Sequence, residues 1–417
     1  MTSTTDLQIV QVPIDDLHPD PANPRKISDA ELDALTRSLR EFGFVQPVIA
    51  RHDDHIVIGG HQRLVAARCL GLKTVPVIFV DLSPEQSHLL NLALNKISGE
   101  WDEALLARLL ADLQVAPNVD LALSGFAEDE IKRLLRQMDA QAKRYQPESF
   151  DLEAALAEAE AAPITQPGDL WLLSDHRLLC GDSTNEADVD RLMNGKLATL
   201  LATDPPYLVN YTGGDHPPTR ANKGKANRNK NWDEYRDPDA SVEFFARFLK
   251  EGLKHVAPHS AIYQWHATRR QALVEEAWRQ CGLLVHQTII WVKARGVLTR
   301  SHYMWSHEPC FYGWVEGNPP KLKPPASERT IWNVDQVGEQ SGYHPTQKPV
   351  ELFVRPIEFH TKTGDICYEP FSGSGTQLIA AERTGRICYA MEMEPRYVQV
   401  AVARWEAFTD EKATRVA

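Results

Sequence analysis

Only six of the 417 residues are cysteine, standing far apart at 69, 180, 281, 310, 367 and 388 with no Cys-x-x-Cys pair. That scatter argues against a zinc site and against a disulfide framework. No apolar run approaches the roughly 18 residues a membrane helix needs. The opening MTSTTDLQIVQVP lacks the basic-then-apolar order of a secretory signal, so a cytoplasmic location is expected. Positive charge is also in deficit: 45 Lys+Arg face 57 Asp+Glu, a formal −12. Bulk charge therefore does not draw this chain to nucleic acid, although a local basic patch still can. Apolar residues are plentiful at 43%, enough for buried cores and too many for a disordered chain. At about 150 residues per domain, the length predicts two to three domains.

Periodicity divides the chain into three parts. In residues 1–138, VQPVIA (45–50), HIVIGG (55–60) and VPVIFV (75–80) predict strands. Helical spacing marks 61–72 and 83–97, the latter opening on Ser-Pro, and two more amphipathic helices fit near 102–113 and 127–138. This part reads as an α+β domain. Residues 139–168 are rich in Ala and Glu, close on Pro163 and Pro167, and predict a solvated helical linker that serves as a spacer. From 169 to 417 strands and helices alternate, which predicts an α/β domain with a mostly parallel sheet and helices on both faces.

Asp204-Pro205-Pro206-Tyr207 ends a strongly apolar strand, LATLLATDPPY. In open α/β sheets ligands bind beyond the carboxyl ends of strands, so the tetrapeptide is well placed. Two prolines make a stiff loop whose carbonyls point in set directions. A carboxylate, a fixed carbonyl and a tyrosine ring can accept both hydrogens of an exocyclic amine while stacking on its ring. Such an amine is a poor nucleophile because its lone pair is delocalised into the base. Acceptors on both N–H groups favour the pyramidal nitrogen of the transition state over the flat ground state. A rigid turn at a strand end is the plain alternative.

A second loop, EPFSGSGT (369–376), follows the predicted strand DICYE and opens the helix TQLIAAERT. Its glycines let backbone approach a ligand, with helix-start N–H groups close by. It is not Gly-x-Gly-x-x-Gly, which weakens a dinucleotide reading. The next strand ends at Glu392, 23 residues after Glu369, where a carboxylate suits ribose hydroxyls.

TDPPY with a downstream EPFSGSGT resembles the amino-group DNA methyltransferases that use S-adenosylmethionine. The Asp-Pro-Pro-Tyr element precedes the glycine loop, which resembles the circularly permuted order of the β class. HPTQKP (344–349) resembles that class's segment flanking the cofactor. The likeness covers about 169–410 and implies a Rossmann-like methyltransferase domain. It implies that Phe371, Gly373, Ser374, Gly375 and Thr376 cradle the methionine part of the cofactor, with Glu369 at the head of the loop. His344, Thr346 and Lys348 would lie near its carboxylate, Glu392 would bind the ribose, and Asp182 would face the adenine ring. Glu369 departs from the family's more usual Asp but keeps the charge.

The stretch between these motifs, about 208–343, corresponds to the family's target-recognition insertion. TRANKGKANRNK (219–230) carries Arg220, Lys223, Lys225, Arg228 and Lys230 with no acid, and reads either as a solvated loop or as a phosphate-gripping one. His302, Trp305 and His307 fit a core or a contact role equally. The N-terminal part resembles the ParB/sulfiredoxin-like domains through IDDLHPDPANPRK (14–26), GFVQPVIA (43–50) and IGGHQRLVAARCLG (58–71). The ParB likeness places Gly59, Gly60, His61 and Arg63, with Gln46 on the strand before, at a cytidine-nucleotide site. His61 stands where sulfiredoxin has its cysteine, which argues against that redox chemistry. The loop also lacks the Gly-Glu-Arg-Arg form of nucleotide-binding members. Nucleotide binding and a protein- or DNA-facing accessory fold both stay open.

The expected protein is thus an adenine-N6 DNA methyltransferase. Asp204 and the Pro205 carbonyl would hold the amine, Pro206 would stiffen the loop and Tyr207 would stack on the base. Its partner is double-stranded DNA, its cofactor S-adenosylmethionine, and no metal is needed; a homodimer is a further candidate. Cytosine N4 is the nearest rival acceptor, but β-class enzymes of that kind more often carry Ser in place of Asp204. An inert methyltransferase half attached to a ParB-like DNA-binding module is the rival of another class, and the intact Asp204, Tyr207 and Glu392 argue against it. Methylation of RNA or of a glutamine amide is weakened by the Asp and by its place before the glycine loop.

Overall fold

The computed structural model describes residues 8–95, 100–117, 119–124, 126–208, 241–297, 303–334 and 348–416. The chain forms two compact units, Met1–Asp139 and Ala140–Ala417. The first contains β1 (Ile9–Pro13), β2 (His18–Pro19), β3 (Arg25–Lys26), α1 (Asp29–Phe42), β4 (Val48–Arg51), β5 (Ile56–Gly59), α2 (His61–Cys69), β6 (Thr74–Val80), α3 (Pro84–Asn95), β7 (Glu100–Trp101) and α4 (Glu103–Val115). Next comes α5 (Glu128–Lys143), within which the division falls.

Five strands of the first unit form a mixed sheet in the order β1-β6-β4-β5-β2. Its core is aliphatic: Val12, Leu17, Val48, Val57, Val75 and Val77 pack with Leu64 and Ala67 of α2. Helix α1 starts where Ser28 and Glu31 cap each other, so two helix-start N–H groups gain acceptors. A second apolar cluster, with Leu92 of α3, Leu106, Leu110 and Leu113 of α4 and Ile131 and Leu134 of α5, closes the helical end.

The second unit contains α6 (Leu152–Ala161), β8 (Leu170–Leu173), β9 (His176–Cys180), α7 (Glu186–Met193), β10 (Ala198–Thr203), α8 (Val242–Leu253), β11 (Val256–Trp265), α9 (Gln271–Gln280), β12 (Leu283–Val297) and β13 (Trp305–Val315). It continues with β14 (Ile331–Asn333), α10 (Glu351–His360), β15 (Ile366–Glu369), α11 (Thr376–Thr384), β16 (Ile387–Glu392), α12 (Pro395–Thr409) and β17 (Thr414–Val416). The ten-stranded sheet runs β14-β12-β13-β11-β10-β15-β16-β9-β8-β17. Its middle five strands, β11 to β9, are parallel throughout. Beyond them β13 and β12 on one side and β8 and β17 on the other pair antiparallel. The expected parallel sheet is therefore the centre of a wider mixed one, because hairpins extend both edges.

One face buries Phe245, Phe248 and Leu249 of α8 with Val274 and Trp278 of α9. The opposite face is covered by Leu352, Phe353 and Ile357 of α10. Each such side chain contributes about 1.5–3 kcal/mol on full burial. Central strands buried on both faces must be apolar throughout, as Leu200, Leu201 and Ala202 of β10 are.

The acidic segment expected to be a spacer is instead part of this unit. Asp151 caps α6 by accepting from the Ala154 N–H at 3.0 Å, and Leu152 and Ala159 are buried with Val400 of α12. Glu148 pairs with the fully buried Arg404, and Glu160 with Arg396 at 2.9 Å. The excess of acid in this segment finds its counter-charges on α12, which sequence periodicity does not show. Among the described residues no helix is long and apolar enough to cross a membrane.

Candidate functional site

The parallel strands end along one edge of the sheet, so Thr203, Trp265, Glu369, Glu392 and Cys180 finish side by side. The loops that leave these ends carry both sequence motifs. Asp204 to Tyr207 follow β10, and the neighbouring loop from Pro370 to Gly375 follows β15. Thr203 Oγ1 donates to Glu369 Oε1 at 2.7 Å and the Phe371 N–H reaches the same oxygen at 3.0 Å. Glu369 is thus a buried brace between the two loops, and burial holds its carboxyl well above the usual carboxylate range. It does not sit where a ligand can reach it, which corrects its expected role in cofactor contact.

The glycine loop is shaped by three further contacts. Glu392 Oε2 accepts the Gly373 N–H at 2.9 Å, Glu392 Oε1 the Glu394 N–H at 3.0 Å, and the Met391 carbonyl the Ser372 N–H at 2.7 Å. Burial raises the Glu392 carboxyl, offset in part by those N–H groups. Gly375 turns into α11 at φ 82°, where a Cβ would also lie 3.0 Å from Ala401 Cβ, so glycine is required. The half-buried Phe371 ring packs edge-on to Phe248 at 4.9 Å. Ser374 and Thr376 are held by Arg404, whose Nη1 donates to the Ser374 carbonyl at 3.1 Å and to Thr376 Oγ1 at 3.2 Å. Asp182, beyond β9, accepts from its own turn at Thr184 N and Oγ1.

At the end of β10 four polar side chains meet. Lys348 Nζ lies 2.6 Å from Asp204 Oδ2, 3.1 Å from Glu308 Oε2 and 2.7 Å from Tyr207 Oη. The Tyr207 hydroxyl donates to Asp204 Oδ1 at 2.8 Å and has Glu308 Oε2 within reach at 3.1 Å. Lys293 of β12 pairs with the other oxygen of Glu308. Two carboxylates thus face two ammonium groups, and the cluster is neutral as a whole. Burial raises the Asp204 carboxyl, with Lys348 opposing and Glu308 adding to the rise. Burial likewise works against the charged form of Glu308, but Lys348 and Lys293 outweigh it and bring that carboxyl down to about 2. For Lys348 burial lowers the ammonium pKa, yet Asp204 and Glu308 win and raise it. A quarter of the Asp204 side-chain surface stays accessible, while Lys348 is almost fully covered.

Lys348, expected by the cofactor's carboxylate, is placed against Asp204. His344, Thr346, His302 and the basic residues Arg220, Lys223, Lys225, Arg228 and Lys230 lie outside the described residues. Trp305 and His307 sit half-buried on β13, their rings 6.3 Å apart. Sequence reasoning passes over Glu308 and Arg404. The available signal was a charge inside an otherwise apolar element, as in WSHEPCFYGWV and YVQVAVARW.

In the N-terminal unit the expected residues do come together. Gly60 at φ 94° starts α2, and the Arg63 guanidinium folds back over it to donate to the Gln46 and Pro47 carbonyls at 2.6 and 3.1 Å. Gln46 thus contributes main chain. Burial brings the His61 imidazole down to about 4 against the pull of Asp20, and its Nε2 accepts the Asp20 N–H at 3.3 Å. Gly59 lies packed under Leu94 and Ile49.

Comparison with known proteins agrees with both halves. Residues 198–403 match the DNA methylase family model of N6/N4 type, residues 2–96 the ParB N-terminal domain, and residues 104–167 the ParB-methyltransferase HTH domain. The C-terminal unit therefore belongs to the N6/N4-type DNA methylases, and the N-terminal part is ParB-like. The type II methyltransferase M2.DpnII of Streptococcus pneumoniae is 25% identical over 226 residues, spanning 50% of this chain and 82% of that protein. M.HpaI of Haemophilus parainfluenzae is 23% identical over 254 residues, 56% of this chain and 75% of its own. Among solved structures, an M1.HpyAVI–SAM complex is 22% identical with a TM-score of 0.41, covering 54% of this chain and 98% of its own. A ParB from Caulobacter crescentus complexed with CTP-γ-S is 22% identical with a TM-score of 0.21, covering 37% and 88%.

Proposed function

We propose that the C-terminal unit transfers the methyl group of S-adenosylmethionine to adenine N6 in DNA. The observation that carries this reading is the partly exposed Asp204 side chain at the end of β10, one strand from a glycine loop clamped by Glu392. The residues present fit the cofactor. The Ser372 hydroxyl is buried there without a hydrogen-bond partner, and no atom stands within 4 Å of a Cβ built on Gly373. Glu392 keeps lone pairs for ribose hydroxyls, and Ser372, Gly373 and Ser374 supply the polar loop around the methionine part. Bound there, S-adenosylmethionine supplies a methyl group already activated by the positive charge on its sulfur.

The chain's own task is to hold the amine. A base inside a duplex must leave the stack to reach this edge. Asp204 and the Pro205 carbonyl then accept the two N–H groups and Tyr207 stacks on the ring, so orientation does most of the work. Asp in place of Ser at 204 supports adenine over cytosine as the acceptor. Sequencing genomic DNA for modified bases, after expression in a methylation-free host, tests base and motif together; N4-methylcytosine there would replace adenine N6 as the acceptor.

The same reading makes 219–230 a phosphate-gripping segment. Neutralising Lys223, Lys225, Arg228 and Lys230 together is expected to weaken DNA binding on every sequence. The slope of log affinity against log salt should become shallower by about 0.9 for each phosphate that is no longer neutralised. Weakening confined to the recognition sequence, with the slope unchanged, would make these residues base readers. For the ParB-like part the accessory role fits better than a nucleotide site, since Arg63 is committed to main-chain carbonyls. Equilibrium binding of CTP to the full chain at micromolar affinity would reverse that preference.

A further inference from the structure

Each Asp204 oxygen accepts one strong donor. Oδ1 accepts the Tyr207 hydroxyl and Oδ2 the Lys348 ammonium. An entering amine must compete with these donors for Asp204, and it gains the carboxylate fully where they pass to another acceptor. An ammonium has three hydrogens and a phenol has one, so each must be received somewhere in this buried pocket. Among the described residues, the one further carboxylate within 3.1 Å of both donors is Glu308. We propose that Glu308 is a positioning residue that takes over the hydrogen bonds of Tyr207 and Lys348 as Asp204 turns to the target amine. The proposal rests on the methyl-transfer reading above and adds to it the group that makes Asp204 available.

The geometry suits this exchange. Glu308 Oε2 faces both donors, while its other oxygen is anchored by Lys293, so the carboxylate is held in place from β12. Neither donor need travel, because a small rotation shifts each hydrogen bond from one carboxylate to the other. The Tyr207 ring lies 5.1 Å from Lys348 Nζ and Trp265 lies 5.3 Å away, walls that leave the ammonium little choice of partner. No proton changes its parent group, so both carboxylates stay ionised throughout.

The test is Glu308→Gln in the full chain, assayed with S-adenosylmethionine and duplex DNA carrying the modified sequence. Gln keeps the shape and removes the charge that receives Lys348. The turnover number is expected to fall about 100-fold, with cofactor affinity changed less than about twofold. The titratable groups facing Asp204 are Lys348, Glu308 of β13, Lys293 of β12 and Glu369 of β15, with Tyr207 and Cys310 beside them. Glu308 raises the Asp204 carboxyl, so its removal should move the acid limb of the rate profile to lower pH. Lys348→Met should move that limb to higher pH. Glu308→Asp, which restores the charge, should recover part of the rate and return the limb toward wild type. Turnover of Glu308→Gln within about threefold of wild type overturns the proposal. So does an equal fall in the Asp and Gln variants with the acid limb unmoved, since packing alone would behave that way. Carbon-13 NMR of the Asp204 carboxyl, in the chain alone, reads the same coupling without transfer. A wild-type chain that shows the shift but methylates nothing sinks the methyl-transfer reading; one that methylates but shows neither the shift nor a slower Gln variant sinks the role of Glu308.

Discussion

Asp204→Ala is expected to lower methyl transfer by about 1,000-fold or more while S-adenosylmethionine still binds. The acceptor amine depends on Asp204, whereas the cofactor depends on the loop from Ser372 to Gly375 and on Glu392, anchored on β15 and β16. The two sets of interactions share the sheet edge but not the side chains. Removing the carboxylate also leaves Lys348 with Glu308 as its counter-ion, so the ammonium stays paired. Titration calorimetry with the cofactor, alongside a tritiated-methyl transfer assay, separates the outcomes. Residual transfer above about 10% would sink the role of Asp204, and failure to bind the cofactor would place it in the wrong half of the site. Glu392→Ala should show the converse, with cofactor affinity reduced first.

Glu148→Ala is expected to destabilise the C-terminal unit by about 3 kcal/mol, because it removes the carboxylate paired with a buried guanidinium. Arg404 is 1% exposed, and besides Glu148 its guanidinium reaches the Ser374 carbonyl and Thr376 Oγ1. The pair therefore ties the segment before α6 to the far end of the glycine loop. For a unit of this size the midpoint of thermal unfolding should fall by roughly 6 °C or more. Differential scanning calorimetry of the full chain reads it, and an unchanged C-terminal transition would mean that Arg404 is satisfied without Glu148. Cofactor affinity should decline as well, since Ser374 would no longer be held by a fixed neighbour. By the same argument a fragment beginning at 166, which lacks Glu148 and α6, should melt lower than one beginning at 140.

Much of this protein was legible in its residues. Asp204 to Tyr207 and Glu369 to Thr376 are local motifs at strand ends, and a strand end is visible wherever an apolar run stops at Pro or Gly. The alternation of strands and helices likewise announced a parallel sheet, since buried strands must be apolar along their whole length. The antiparallel edges were not legible, because β8, β17 and the long β12–β13 hairpin differ from central strands only in what lies beside them. Nor could sequence tell an acidic spacer from a docked helix: Glu148 reads as solvent-facing until Arg404 is placed opposite. Tertiary structure alone decided the site's electrostatics. Asp204, Glu308 and Lys348 stand far apart along the chain, and an ion pair leaves no periodic trace in it. Only folding brings Lys348 within 2.6 Å of Asp204 and gives Glu308 its place as the second acceptor.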